Sequence, residues 1–318
     1  VELGEFLQDR FTAGGYYECP IFTNIQMKII RALSLVPILT VAFSSKALAQ
    51  TSQPEKRMGK VYVSLASGFG FGAAGTSAPF GGDYTFTETN NGSATTQTNT
   101  GISKPLNLGK GMHFGLGGGV FVTKNIGVEL NLDYLFGSVY TVGTLDTYPN
   151  GVTNSSKIVM NANMLRIIPA LRFQFGEGKL YPYLRTGVVI GAAGRMELDG
   201  TTDGDQRTTI YTGGGSWGFL CGLGARYAIS NKLDVFVELT EILQTWAPEK
   251  SELTKETLNG TDIWPTLNTS QKETIYSSSY SATTVNQMSP PNSPVTKVKE
   301  YWPLSSIGFT LGLNIKLN

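Results

Sequence analysis

The chain has 318 residues, with 25 Lys and Arg against 24 Asp and Glu and a single His. Charged residues make up 15% of it, against about 25% in an ordinary soluble domain. No basic cluster marks a nucleic-acid surface, and no apolar run reaches the roughly 18 residues of a transmembrane helix.

In chain order, residues Val1–Gln26 read as an upstream extension outside the mature protein. Met27–Ala49 has the three parts of a secretory signal peptide. Lys28 and Arg31 form the positive front, Ala32–Phe43 the short apolar core, and Ala47-Leu48-Ala49 the small-x-small cleavage site. Cleavage after Ala49 leaves a periplasmic lead-in over residues 50–59 and a domain over 60–318. Cys19 goes with the leader, so Cys221 is the one mature cysteine and no internal disulfide is expected.

Eight alternating runs follow. Period two gives a strand two unlike faces. The first is Lys60–Phe71, with Val61, Val63, Leu65, Phe69 and Phe71 on one face and Tyr62, Ser64, Ala66, Gly68 and Gly70 on the other. Met112–Val122 and Gly127–Val142 come next, the latter with Val128, Leu130, Leu132, Tyr134 and Phe136 on its apolar row. The fourth ends at Phe175; Asn161 and Asn163 share its apolar parity and are expected above the bilayer or beyond a bulge. Leu180–Ala192, Ser216–Ala228 and Leu233–Leu243 follow. The last, Ile307–Leu317, has every odd position large and apolar and every even position small or polar. An oily row against a polar row is the pattern of a transmembrane β-barrel strand.

Connections alternate in length. Short turns lie at 123–126, 176–179 and 229–232. Long polar connections lie at about 72–111, 143–156, 197–215 and 245–301. Short periplasmic turns and long extracellular loops are the asymmetry of an eight-stranded antiparallel up-and-down barrel with both ends in the periplasm. Across two turns the expected register sets Arg226 opposite Asp234 and Phe173 opposite Pro182.

The inward rows carry Glu129, Asp133, Arg166, Arg172, Arg185, Arg226, Asp234 and Glu238. Four acids and four arginines inside a barrel just wide enough for side chains predict a paired network that plugs the lumen. Gly68, Gly70, Gly115, Gly117 and Gly119 form a seam expected to leave some room there. Tyr134, Phe136, Trp217, Trp246 and Trp302 are expected in an outer interfacial girdle, and Phe173, Phe175 and Tyr227 in a periplasmic one. Cys221 falls on the lipid row, as a small apolar residue.

Three stretches carry a family resemblance: Tyr181-Pro182-Tyr183-Leu184-Arg185-Thr186-Gly187, Asn163-Met164-Leu165-Arg166-Ile167-Ile168-Pro169, and the closing Thr310-x-Gly312-x-x-Ile315-x-Leu317. Together they resemble the small outer-membrane β-barrel family of Gram-negative bacteria, which includes outer-membrane proteins A and X. The resemblance implies an outer-membrane location among lipid and lipopolysaccharide. It also implies recognition by the barrel-assembly machinery through Thr310, Gly312, Ile315 and Leu317, a signal that usually ends in an aromatic residue where this chain has Leu317-Asn318.

The sequence bears on three functions. Some small barrels modify lipid A; His113 is the lone imidazole here, Asp83, Glu88 and loop serines are its candidate partners, and no G-x-S-x-G elbow occurs. A narrow passive pore is opposed by the inward charges. The leading reading is a non-enzymatic structural or adhesin-like surface protein that meets a host or surface ligand at its loops. Among these, Thr95–Thr100 and Ser277–Ser281 read as solvated, and Ile263, Trp264, Tyr276 and Tyr280 as contact residues. With one mature Cys and no calcium-loop pattern, neither metal nor cofactor is expected.

Overall fold

The computed structural model describes residues 61–73, 82–91, 94–103, 105–147, 152–176, 178–279 and 290–317. The upstream extension, the signal peptide, the lead-in, Tyr280 and Asn318 lie outside them.

Eight strands build a wall: β1 (Val61–Gly72), β2 (Gly111–Phe121), β3 (Ile126–Gly137), β4 (Thr153–Gln174), β5 (Leu180–Thr202), β6 (Ser216–Ala228), β7 (Leu233–Trp246) and β8 (Ser306–Lys316). Each pairs antiparallel with the next. The last pairs antiparallel with the first, Tyr62 opposite Lys316 through Gly72 opposite Ser306. That pairing closes the sheet on itself and removes its edges, the condition for crossing a bilayer with strands.

The alternation read in the sequence is the alternation of the wall. On β8, Phe309 and Leu311 are 61% and 63% exposed while Thr310 and Asn314 are 3% and 0% exposed. An inside-out pattern of this kind is stable only with lipid outside. Glu241 is the exception. It is exposed on β7, opposite Cys221 and Ile307, and among the described residues it is the only charge on an outward row between the periplasmic turns and the bulge described next.

That bulge lies on β5. Arg166 pairs Gly191 and Leu165 pairs Ala193, so Ala192 is extra. The inward parity of β5 therefore switches, from Tyr181, Tyr183 and Val189 below to Met196 above. Asn163 and Asn161 stand beyond it, opposite Arg195 and Glu197. The Asn161 amide donates to the Gly137 carbonyl at 3.0 Å, and the Gly137 N–H donates to Asn163 Oδ1 at 3.3 Å. The two asparagines thus finish the end of β3, which stops at Gly137 and not at Val142.

All four of the expected long loops contain strands. Tyr140–Thr147 pairs with the outer part of β4, and Asp205–Thr212 folds back on β5 around Asp203-Gly204, both at positive φ. Thr, Ser and Asn make these segments look like loops, yet on a pleated surface Thr is a strand former. The register across both turns also differs by two residues from expectation. Ala228 pairs Asp234 and Arg226 pairs Phe236; Phe173 pairs Leu184. Three-residue turns explain the first shift: Ile229 N–H bonds to the Leu233 carbonyl, and the Ser230 hydroxyl accepts the N–H groups of Lys232 and Leu233. Thr123 plays the same part before Ile126. A shift of two preserves the faces, so the inside and outside assignments stand.

Above the bulge the wall opens into a sheet. Its order is Ala94–Ser103, Gly82–Asn91, Tyr140–Thr147, outer β4, outer β5, Asp205–Thr212, Lys250–Leu258, Glu273–Ser277 and Val295–Val298.

Candidate functional site

The lumen is where the sequence concentrates its charge, and all eight expected residues meet there in layers. At the periplasmic end Asp234 takes Arg226 at 3.3 Å and Lys316 at 2.8 Å. The Arg226 guanidinium lies 5.5 Å from the Phe121 ring centre and 5.2 Å from that of Tyr181. In the middle layer Glu129 receives Arg172 at 2.6 Å, Arg185 at 3.7 Å and the Tyr62 hydroxyl. Arg185 reaches on to Glu238 at 2.6 Å, which also accepts from the Thr240 hydroxyl. Arg172 stacks over Tyr183 at 4.4 Å. In the upper layer Arg166 bonds Asp133 at 3.4 Å, Gln244 at 2.8 Å and the Leu304 carbonyl at 3.4 Å.

Sequence reasoning missed the partners of this network. Lys316 is a fifth cation; Tyr62, Tyr183 and Phe236 surround the Arg172 guanidinium. Their inward parity was legible. Their role was not, because the contact joins strands far apart in the chain.

Four of the five seam glycines leave no room, each closed by a side chain across the strand. A Cβ on Gly68 would stand 2.3 Å from the His113 ring, on Gly117 2.0 Å from Asn131, and on Gly119 2.7 Å from the Tyr62 hydroxyl. Gly224 receives Tyr183 and Gly312 receives Phe236, with would-be Cβ distances of 2.5 and 2.4 Å. Gly115 alone of the seam's Gly115, Gly117 and Gly119 is open, its nearest atom at 3.6 Å. A cavity in the upper layer of the lumen, lined by Gly70, His113, Arg166, Thr240 and Ser306 among others, has a volume of about 10 Å³, enough for one water.

His113 lies in that layer. Its Nδ1 is 2.9 Å from Asp133 and its Nε2 3.4 Å from the Thr310 hydroxyl. A hydroxyl, an imidazole and a carboxylate in line have the order of a nucleophile, its base and an orienting group. Here Arg166 shares the carboxylate, and the adjoining cavity has no space for an acyl chain. Asp83 and Glu88 lie elsewhere, on the strand Gly82–Asn91.

The outer end of the lumen holds an apolar cluster: Leu106, Leu108, Leu135, Met160, Met164, Met196, Trp246, Trp302 and Leu304. Trp246 and Trp302 are 1% and 5% exposed, so they belong to this core and not to the girdle. The girdle keeps Tyr134, Phe136 and Trp217, which point outward. The cause is parity: position 246 falls on the inward row of β7, one residue past Thr245. Tyr276 is likewise buried, stacked on Tyr211 and 3.2 Å from the Ser251 hydroxyl, so it serves packing and not contact. Burial pushes both Tyr211 and Tyr276 hydroxyls above their ordinary range. Trp264 donates to the Leu253 carbonyl at 2.7 Å and lies under the Lys272 ammonium.

Of the four residues of the expected assembly signal, Thr310 is inside, 3.0 Å from Thr240, and Gly312 is the seat of Phe236; Ile315 and Leu317 point outward.

Residues 36–261 match the family described as outer membrane protein beta-barrel domain. The chain belongs to that family. Three solved barrels are similar to it. Neisserial surface protein A is 10% identical, with 81% of this chain and 97% of that one covered and a TM-score of 0.30. Ail, the attachment invasion locus protein of Yersinia pestis, is 8% identical, covering 81% and 98%, TM-score 0.26. Outer membrane protein W of E. coli is 15% identical, covering 83% and 100%, TM-score 0.30. No curated protein matches.

Proposed function

We propose that this outer-membrane β-barrel protein is a structural or adhesin-like surface protein, anchored by a barrel whose lumen is plugged by its Arg, Asp and Glu network. The observation that carries the reading is the filled lumen: layers of buried ion pairs, an upper-layer cavity of only about 10 Å³, and above it a cluster of buried Trp, Met and Leu. A solute path would have to part ion pairs as short as 2.6 Å, each buried and costly to separate. The same packing argues against a passive pore and against lipid A chemistry at His113. Interaction then falls to the surface sheet, with a host or surface ligand as its partner. Export through the signal peptide cleaved after Ala49, and delivery by the barrel-assembly machinery reading Thr310, Gly312, Ile315 and Leu317, complete the proposal.

Planar-bilayer recording tests it. Purified protein at a few hundred millivolts is expected to give no discrete openings, and cells carrying it to attach to surfaces more than cells lacking it. Steady unitary conductance in the wild type would overturn the plug.

A further inference from the structure

One row of the lipid-facing wall breaks its apolar character. Thr186 on β5, Cys221 on β6 and Glu241 on β7 are cross-strand neighbours, Cys221 pairing Thr186 on one side and Glu241 on the other. All three are on outward rows; Thr186 and Glu241 are exposed and Cys221 is half-buried. Their outward neighbours along the same strands are Leu184 and Val188, Phe219 and Leu223, Leu239 and Leu243. The polar row therefore crosses an otherwise oily face. Its depth is set by Trp217, which is 67% exposed and pairs Thr245. Glu241 follows the same strand toward the periplasm, about 10 Å below that aromatic at the usual strand rise and tilt.

A carboxyl at that depth is costly, because hydrocarbon offers it no hydrogen bond. Lipid headgroups do not supply one, since they sit at the level of Trp217. Among the described residues no hydrogen bond or ion pair reaches the Glu241 carboxyl. A second copy supplies what is missing. Two barrels inserted the same way are related by a twofold along the membrane normal. Centred on Cys221, that axis sets β7 of one protomer against β5 of its partner. The row slants with the strands by about 3 Å of depth per step, which a Glu side chain spans. Each Glu241 carboxyl then lies within reach of the partner's Cys221 thiol and the partner's Thr186 hydroxyl, both of which can donate.

We propose that the outer face of β5, β6 and β7 is a homodimer interface within the membrane, with a second copy of this chain as its occupant and Glu241 as its polar anchor. In lipid, two oily faces gain nothing from leaving water. Association there takes its free energy from close packing and from polar contacts of this kind. The row is self-complementary because it carries the acceptor at one end, a donor at the other and a small side chain on the axis. The interface belongs to the barrel wall and is independent of what the loops bind.

The test uses the Cys221 thiol of the full protein in lipid vesicles, over a range of lipid-to-protein ratios, with a short bifunctional thiol crosslinker. Packed sheets stand about 10 Å apart, so the paired sulfurs lie beyond disulfide distance and a spacer is needed. A crosslinked dimer that fades as lipid is added is expected. Moving the thiol to the opposite wall, Cys221→Ser with Leu116→Cys on β2, is expected to give collisional crosslinking alone. Glu241→Leu is expected to weaken association by about 10-fold, the loss of two symmetric polar contacts. Glu241→Gln keeps a hydrogen-bonding head of the same length and is expected to weaken it much less. Thr186→Val removes the donor and is expected to weaken it less than additively with Glu241→Leu. Unchanged heat-modifiable mobility at high dilution in lipid shows that each variant barrel is folded. Crosslinking as strong from position 116 as from 221, association unmoved or strengthened by Glu241→Leu, or additive effects of Thr186→Val and Glu241→Leu would each overturn the proposal.

Discussion

Gly224→Ala measures how tightly the lumen is packed. A Cβ at 224 would lie 2.5 Å from the Tyr183 ring, 2.6 Å from its hydroxyl and 2.7 Å from the Val237 carbonyl. Tyr183 has little freedom to yield, because the Arg172 guanidinium lies 4.4 Å above its ring and Arg172 is held by Glu129 at 2.6 Å. Overpacking of this kind costs about 1–3 kcal/mol, and displacing a stacked guanidinium adds about 1 kcal/mol. The variant should lose about 2–4 kcal/mol. Gly115→Ala is the matched control, with every neighbour at 3.6 Å or beyond. It should gain about 0.5–1 kcal/mol, since alanine costs less conformational entropy in a strand than glycine. The assay is reversible urea unfolding in lipid vesicles, followed by tryptophan fluorescence and heat-modifiable mobility. Tyr183→Ala should relieve the strain at 224, giving a double-mutant coupling of about 1 kcal/mol or more. If the two alanine variants differ by less than about 0.5 kcal/mol, or the cycle is additive, the glycines are not seats and the packing account fails.

Three further outcomes are expected. Arg172→Met should cost about 3–5 kcal/mol in the same unfolding assay by leaving Glu129 with the 3.7 Å contact to Arg185 as its one ion pair beside the Tyr62 hydroxyl, while Arg172→Met with Glu129→Met should recover most of it; no recovery would mean the pair acts through shape alone. Glu241→Leu should raise stability by roughly 1 kcal/mol, because it removes the lone carboxylate from the lipid-facing rows; a loss would show that this carboxylate has a stabilising partner. Asp205 accepts the N–H groups of Gly260 and Asn259, which hold its carboxyl below the usual range. A depressed folded value means the stabilisation is complete above the unfolded value, about 3.9, and fades as pH falls toward the folded one. Protection of the Asn259 and Gly260 amides, corrected for intrinsic exchange, should therefore drop in that acid window. Asp205→Asn should be flat across it, and a wild type equally flat would refute the assignment.

The period of the sequence by itself determined the barrel. One slip of register would turn an oily row inward, so Ile307 to Leu317 and its seven counterparts specify inside and outside without any knowledge of contacts. The eight lumen charges were legible for the same reason, being exceptions on polar rows of a closed tube. Their pairing was not: Arg172 with Tyr183, Asp234 with Lys316 and His113 with Thr310 are set by strand stagger, which turn lengths control and composition hides. Nor were the inward turn of Trp246 or the strands Tyr140–Thr147 and Asp205–Thr212, since a Thr-rich segment is a loop or a strand according to what lies beside it. Local alternation fixes which face a residue takes; only closure of the wall decides which residue it meets there.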